Sequence, residues 1–151
     1  WRSDRWTLYG NLAISRSQAR NIVSAQYNFD PAELAYAASK YIRTDHDQMY
    51  TSSAGAIWQA WEGGKLSATM IYGNGLRAGF ANTDKLAPYA TGNLGFTQEF
   101  ELAGTGRWLA RADLINVTDT KYLLRDGTSI GAGAPAWGWR RGLFAGLSKS
   151  F

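Results

Sequence analysis

The stretch Tyr50-Thr-Ser-Ser-Ala-Gly-Ala-Ile-Trp-Gln-Ala-Trp61, then Glu62-Gly63-Gly64, then Lys65-Leu-Ser-Ala-Thr-Met-Ile-Tyr-Gly73 decides the fold. In its first half Tyr50, Ala54, Ala56, Trp58 and Ala60 oppose Thr51, Ser53, Gly55 and Gln59, with Ile57 out of pattern. In its second half Leu66, Ala68, Met70 and Tyr72 oppose Ser67, Thr69 and Gly73. Strict alternation signals β-strand, because successive side chains leave opposite faces. The Gly63-Gly64 pair between the halves reads as a two-residue hairpin turn.

The same period runs outward in both directions. Trp6, Leu8, Gly10, Leu12 and Ile14 oppose Thr7, Tyr9, Asn11, Ala13 and Ser15. Ala90, Leu94, Phe96 and Phe100 oppose Thr91, Asn93, Gly95, Thr97 and Glu99. Trp108, Ala110, Ala112 and Leu114 oppose Arg107, Arg111 and Asp113. Near the end, Leu143, Ala145, Leu147 and Phe151 oppose Gly142, Gly146, Ser148 and Ser150, with Phe144 as the exception. The segments run to roughly ten to fourteen residues, longer than ordinary soluble strands and suited to tilted strands crossing a bilayer. The apolar side is mostly Ala, Leu and aromatics, which suits lipid. The other side is too polar and Gly-rich for a packed core. Trp6, Trp58, Trp61, Trp108 and Phe151 lie toward segment ends, where an aromatic girdle belongs.

The connections sort into long and short. Long ones follow the first and fifth segments and one of middle length spans Leu76 to Ala87, whereas Gly63-Gly64 and Ala103-Gly104-Thr105-Gly106 are tight turns. Bacterial barrels have long extracellular loops and short periplasmic turns, so both glycine turns are assigned to the periplasm. The sequence thus predicts an all-β, antiparallel transmembrane barrel segment of about six strands. The first long loop predicts a short helix, with Asp30 as cap, Pro31 in its first turn, Glu33 completing a capping-box-like pattern, and Leu34, Ala38 and Tyr41 on one face. Its expected role is to stiffen the loop over the barrel mouth.

Composition closes off other classes. There is no Cys, which excludes disulfides and thiolate metal sites, and His46 is the single histidine, which excludes a His-rich one. No apolar run approaches the ~20 residues of a membrane helix. The formal charge of +4 is scattered over ends and loops without a basic stripe, which argues against nucleic acid and suits lipopolysaccharide phosphates or an acidic ligand. No Ser-His-Asp arrangement has supporting context, and Gly73-Asn-Gly75 follows a strand without the helix a phosphate loop needs, so no enzymatic activity and no cofactor are expected. The start at Trp1, with no Met and no signal peptide, reads as a processed end or a piece of a longer chain.

Asp113-Leu-Ile-Asn-Val-Thr-Asp-Thr-Lys-Tyr122, Leu124-Arg-Asp-Gly-Thr128 and Arg140-Arg-Gly-Leu-Phe144 resemble the C-terminal end of TonB-dependent receptors. Those barrels carry an Asn-Val-x-Asp-x-x-Tyr stretch before the last extracellular loop and close on an arginine-led strand with a terminal aromatic. Asp45-His-Asp-Gln48 with Tyr50-Thr51, and Tyr72-Gly-Asn-Gly-Leu-Arg77, are similar to this family as well. The resemblance spans about Leu8 to Phe151 and is most specific at Asn116 to Tyr122 and in the terminal strand. It implies that residues 1–151 are the C-terminal part of a 22-stranded receptor barrel, without the plug domain, the segment that contacts TonB, or the earlier strands. It implies a place in the bacterial outer membrane, among lipid and lipopolysaccharide, and energy-coupled uptake of a scarce substrate, by default a siderophore–iron chelate. A passive porin-like or other outer-membrane barrel is the alternative, and a soluble β-sandwich or lipocalin-like binder fits the strand lengths poorly. The final strand resembles the signal read by the barrel assembly machinery, carried by Leu143, Ala145, Leu147 and Phe151, with Lys149 departing from the usual apolar residue.

Candidate ligand contacts lie in the long connections: Arg43, His46, Gln48, Arg77, Arg125, Trp137 and Arg140, with Asp45, Asp47, Asp126, Trp139 and Arg141 beside them. Arg and Trp suit an anionic or aromatic metal chelate. Exposed loop charges more often simply solvate, and Asp126-Gly127 reads equally well as a turn. Asp45-His46-Asp47 cannot aim three consecutive side chains one way if extended, so a structural role that anchors the loop to the second strand is preferred to a metal site. Arg111 and Asp113, two apart on one face, read as a lumenal charge network.

Overall fold

A computed structural model describes residues 1–24, 29–128, 130–131 and 133–150. Phe151, assigned above to the girdle and the assembly signal, lies outside the described residues. Six long strands form one antiparallel sheet: β1 (Trp6–Ile14), β2 (Tyr50–Trp61), β3 (Gly64–Gly73), β4 (Tyr89–Leu102), β5 (Gly106–Ile115) and β6 (Gly142–Lys149). Each pairs with its neighbour in sequence, so the sheet is a meander with β1 and β6 at its edges. All six alternating segments are thus strands, each beginning and ending within a few residues of the expected place.

The register carries the alternation across the whole sheet. Trp6 pairs Trp58, Trp58 pairs Leu66, Leu66 pairs Phe96, Phe96 pairs Ala112, and Ala112 pairs Ala145. One face is therefore apolar, and much of it is open: Leu143 is 75% exposed, Leu12 70% and Leu147 63%. The opposite face carries Asn11 bonded to Ser53 at 3.2 Å, Asn93 bonded to Thr69 at 3.1 Å, and the ion pairs Lys65–Glu99, Arg107–Glu101 and Arg111–Asp113. Ile57 and Phe144 sit on this polar face as the pattern anticipated, and Ile71 and Leu109 join them.

One end of the sheet has tight turns. The first is Glu62–Gly63 rather than Gly63–Gly64, because Trp61 already pairs with Gly64 across a bulge. Gly63 supplies the positive φ of +71°, and Gly64 must lack a side chain because the Trp61 indole lies where its Cβ would be. The second turn joins Leu102 to Gly106, as expected. Aromatic rings gather at this end of the apolar face. Trp6 stacks on Trp58 at 5.6 Å, Trp61 lies 6.2 Å from Phe96, and Trp108 belongs to the same row. Their polar tips have partners: Trp61 Nε1 donates to Gln98 Oε1 at 2.6 Å and Trp108 Nε1 to Thr105 Oγ1 at 3.0 Å.

The other end carries connections 15–49, 74–88 and 116–141. They contain three short ribbons, Gln18–Ala19 with Ile42–Arg43, Arg77–Ala78 with Asp84–Lys85, and Leu123–Asp126 with Pro135–Trp137. They also contain helix α1 (Pro31–Ser39) and a 3-10 turn at Phe80–Asn82. Asp30 caps the helix, accepting from Ala32 N at 2.7 Å, and Pro31 opens it. Two details depart from expectation. Glu33 does not close a capping box; its Oε1 accepts Ala81 N, 2.7 Å away, because the 3-10 turn offers a backbone donor with Ala81 at φ +48°. The buried face is centred on Ala37, with Tyr36 edge-on to Phe80 at 5.6 Å, whereas Ala38 and Tyr41 are exposed. Ala37, Ile42, Ala81 and Ile130 form a small core joining all three connections, with Ile22, Phe29 and Tyr36 against it.

Candidate functional site

The three connections make a cap over one end of the sheet, and it gathers most of the candidate ligand residues. Its centre is Asp47, whose side chain is fully buried. Oδ1 accepts Ser17 N at 2.6 Å and Arg43 Nη1 at 3.2 Å; Oδ2 accepts Arg43 Nη1 and Arg77 Nε, each at 3.2 Å. A buried carboxylate is tolerable only when so paired and bonded. Arg43 and Arg77, far apart in sequence, are thereby brought together around one carboxylate. Asp47 is an anchor, but it ties Ser17 and Arg43 of the first connection to Arg77 of the second and not the loop to β2.

Neighbouring Asp45 and His46 turn toward the last connection. His46 Nε2 faces the Arg125 guanidinium. Arginine has only donors, so Nε2 is placed as the acceptor, and Nδ1 lies 2.8 Å from Asp45 Oδ2. Gln48 points elsewhere: its Nε2 is buried against Gly73, without a hydrogen-bond partner among the described residues. Asp126 forms the turn anticipated, its Oδ1 accepting Thr128 N at 3.0 Å and Thr128 Oγ1 at 2.8 Å.

The last connection is fixed by Asn116 and Asp119, both at positive φ. Buried Asn116 takes Asn93 Oδ1 on its N–H at 2.8 Å, and its Nδ2 donates to Thr120 O at 2.9 Å and Trp139 O at 2.8 Å. Asp119 binds the Arg140 guanidinium through both oxygens and accepts Arg141 N at 3.0 Å. The Arg140 hydrogen bonds, foremost, hold the Asp119 carboxyl far below the usual carboxylate range, and the same bonds push Arg140 up. Tyr122 stacks on Tyr89 at 4.3 Å, and burial raises its phenol. The outer side of Tyr122 rests on Gly138, where a Cβ would fall 1.9 Å from its ring.

Arg140 is thus placed on Asp119, away from the Asp47 cluster, while Trp137 and Trp139 are 62% and 70% exposed. Leu143, Ala145 and Leu147 lie on the apolar face of β6. Sequence reasoning did not single out Asn82, Tyr89, Asn116 or Tyr122 as site residues. Asn116 and Tyr122 stood in a recognisable motif; Asn82 and Tyr89 gave no local signal, because what defines them is a partner on another connection. Comparison with protein-family models and with curated proteins finds no match to this chain.

Proposed function

We propose that this chain is the C-terminal part of an outer-membrane β-barrel and that the whole barrel is a TonB-dependent receptor taking up a scarce substrate, with siderophore–iron chelates as the default class. One observation carries the barrel reading: a six-stranded meander whose long connections all lie at one end and whose tight turns lie at the other, with an exposed apolar face backing a polar one. Lipid against the apolar face removes the exposure that water would penalise. Further strands at β1 and β6 close the edges. The ring row at the turn end suits a membrane interface, and the cap becomes the outer mouth. The receptor reading adds the Asn116–Tyr122 motif, whose side chains organise the last connection. In that setting β6 presents Leu143, Ala145 and Leu147 to the assembly machinery.

The sequence has no Cys, so single cysteines report cleanly. In the full-length protein, Ala134→Cys in the cap is expected to react with a membrane-impermeant maleimide on intact cells, and Ala103→Cys at the turn end only after the outer membrane is breached. Equal labelling of both, or recovery in the soluble fraction, overturns the barrel reading. Uptake of a labelled ferric chelate that persists without TonB favours the passive porin-like alternative.

A further inference from the structure

The outer edge of β1 is already paired at one end. The Trp1 nitrogen donates to Leu8 O at 3.0 Å, and Leu8 N donates back to Trp1 O at 2.9 Å. Arg2 bridges Thr7 in the antiparallel sense, and Ser3 N donates to Trp6 O at 2.8 Å. These are the contacts of a hairpin whose two loop residues are Asp4 and Arg5. Ser3 serves the turn twice, since its Oγ also accepts Trp6 N at 3.3 Å. The turn sits at the same end of the sheet as the other two tight turns, and Gln59 N ties it to β2 by donating to Arg5 O at 2.8 Å. Residues 1–3 therefore lie along β1 on the side away from β2.

The rest of that edge is open. In an antiparallel strand, successive residues direct their backbone groups to opposite sides. Arg5 and Ser15 bond toward β2, whereas Trp6 and Leu8 bond toward residues 1–3. The same alternation directs the N–H and C=O groups of Gly10, Leu12 and Ile14 outward. On that side the pairing stops at Leu8 among the described residues. Such a row of donors and acceptors is completed by another strand.

We infer that the occupant is the segment immediately preceding Trp1, running antiparallel to β1 in the register that the hairpin has set. This pairing needs from the proposed function only that residues 1–151 are the C-terminal part of a longer chain, and it names which strand closes the β1 edge. The Trp1 nitrogen is then a peptide N–H and keeps its bond to Leu8 O. The residue before Trp1 lies opposite Tyr9, and the second, fourth and sixth before it lie opposite Gly10, Leu12 and Ile14. Opposed residues share a face. Trp1 is on the apolar face with Leu8, and Arg2 on the polar face with Thr7. The second, fourth and sixth residues before Trp1 join the apolar face, and the first, third and fifth the polar one. A second copy of the chain competes poorly for this edge, because the Asp4–Arg5 turn holds the preceding segment beside it at high effective concentration.

Full-length protein in detergent, free of other cysteines, is given one cysteine at the position before Trp1 and a second as Tyr9→Cys. Opposed residues of a non-hydrogen-bonded pair have Cα atoms about 4.5 Å apart, within disulfide reach. Mild oxidation is expected to join them within one molecule, with loss of both thiols and a mobility shift that reduction reverses. Moving the second cysteine to Gly10→Cys, on the opposite face, is expected to abolish the bond. Amide exchange of the unsubstituted protein is the second readout: Gly10, Leu12 and Ile14 are expected to be as protected as Tyr9 and Asn11, which bond toward β2. A disulfide-linked dimer from Tyr9→Cys alone, no disulfide in the designed pair, an equal yield with Gly10→Cys, or fast exchange at Gly10, Leu12 and Ile14 overturns the inference. Maleimide labelling of the cap and turn ends does not depend on which segment covers β1, so the two proposals fail separately.

Discussion

The sheet and the cap are built on opposite terms. The sheet has long regular strands and continuous backbone pairing, yet among the described residues none of the buried hydrophobic ones belongs to it. The cap is mostly irregular, yet it holds all of them: Ala37, Ile42, Ala78, Ala81 and Ile130. It also holds the buried polar side chains Asp47, Asn82 and Asn116. Regular backbone therefore does not identify the self-sufficient part of this molecule. The cap buries apolar side chains of its own, whereas the sheet satisfies its backbone and leaves its apolar side chains to surroundings that must be supplied. In water that face and the two open edges form a surface for aggregation.

The sharpest way to break the contrast is Asp47→Ala. It strands two partly buried guanidinium groups, and loss of one partner from such a cluster costs about 3–5 kcal/mol. Hydrogen exchange is expected to rise throughout the cap and to stay unchanged in β2 to β5; a sheet that loosens equally would mean the two regions are not separable. Leu94→Arg, mid-strand on the apolar face, tests the other side. In a bilayer it should cost about 2–4 kcal/mol, read from urea titration of protein folded into lipid vesicles. A change within about 0.5 kcal/mol, as for an ordinary water-exposed position, would mean that this face meets solvent. Gly138→Ala forces a methyl group into the Tyr122 ring and should cost about 1–3 kcal/mol by overpacking. Proteolysis confined to 116–141 is the expected sign, and wild-type resistance would show that the Tyr89–Tyr122 stack adapts.

The smallest effect is pH dependence at Asp119. Its carboxyl is depressed in the folded protein, so the Arg140 contact stabilises the cap fully above the ordinary carboxylate value of about 3.9 and weakens only as pH falls through the lower folded value. Exchange near 116–141 should be flat from neutral pH down to about 5 and rise below about 4. Arg140→Gln should remove that dependence; a transition near neutral pH would assign it to another group.

The contrast also explains what the sequence revealed. Strand alternation is a local pattern imposed on every residue of a two-faced sheet, so all six strands were legible, together with the sorting of long and short connections. Ile57 and Phe144 did not obscure it, because one misplaced side chain among many does not move the register. The first turn was read one residue late because Gly64 looks like a turn glycine, although its lack of a side chain serves the Trp61 indole above it. The cap was less legible. Asp45-His46-Asp47 announced an anchor, but its partners Ser17 and Arg77 lie thirty residues away on either side. Glu33 had the spacing of a capping box and was drawn instead to the 3-10 turn. Asn82 and Tyr89 acquire their roles only when a separate connection packs against them.

Asn116 and Asp119 tie together the two ends of the last connection: one donates to the carbonyl of Trp139, and the other accepts the amide of Arg141. The start of β6 is therefore set at the base of the excursion and not by its contents. Because closure entropy grows only slowly with length, the tip at 133–134, where Gly133 meets nothing within 4 Å, is free to lengthen or accept a foreign peptide while the strand behind it keeps its register. A chain built this way can change what it displays without renegotiating how it is held, and this tip is where a displayed epitope should be inserted first.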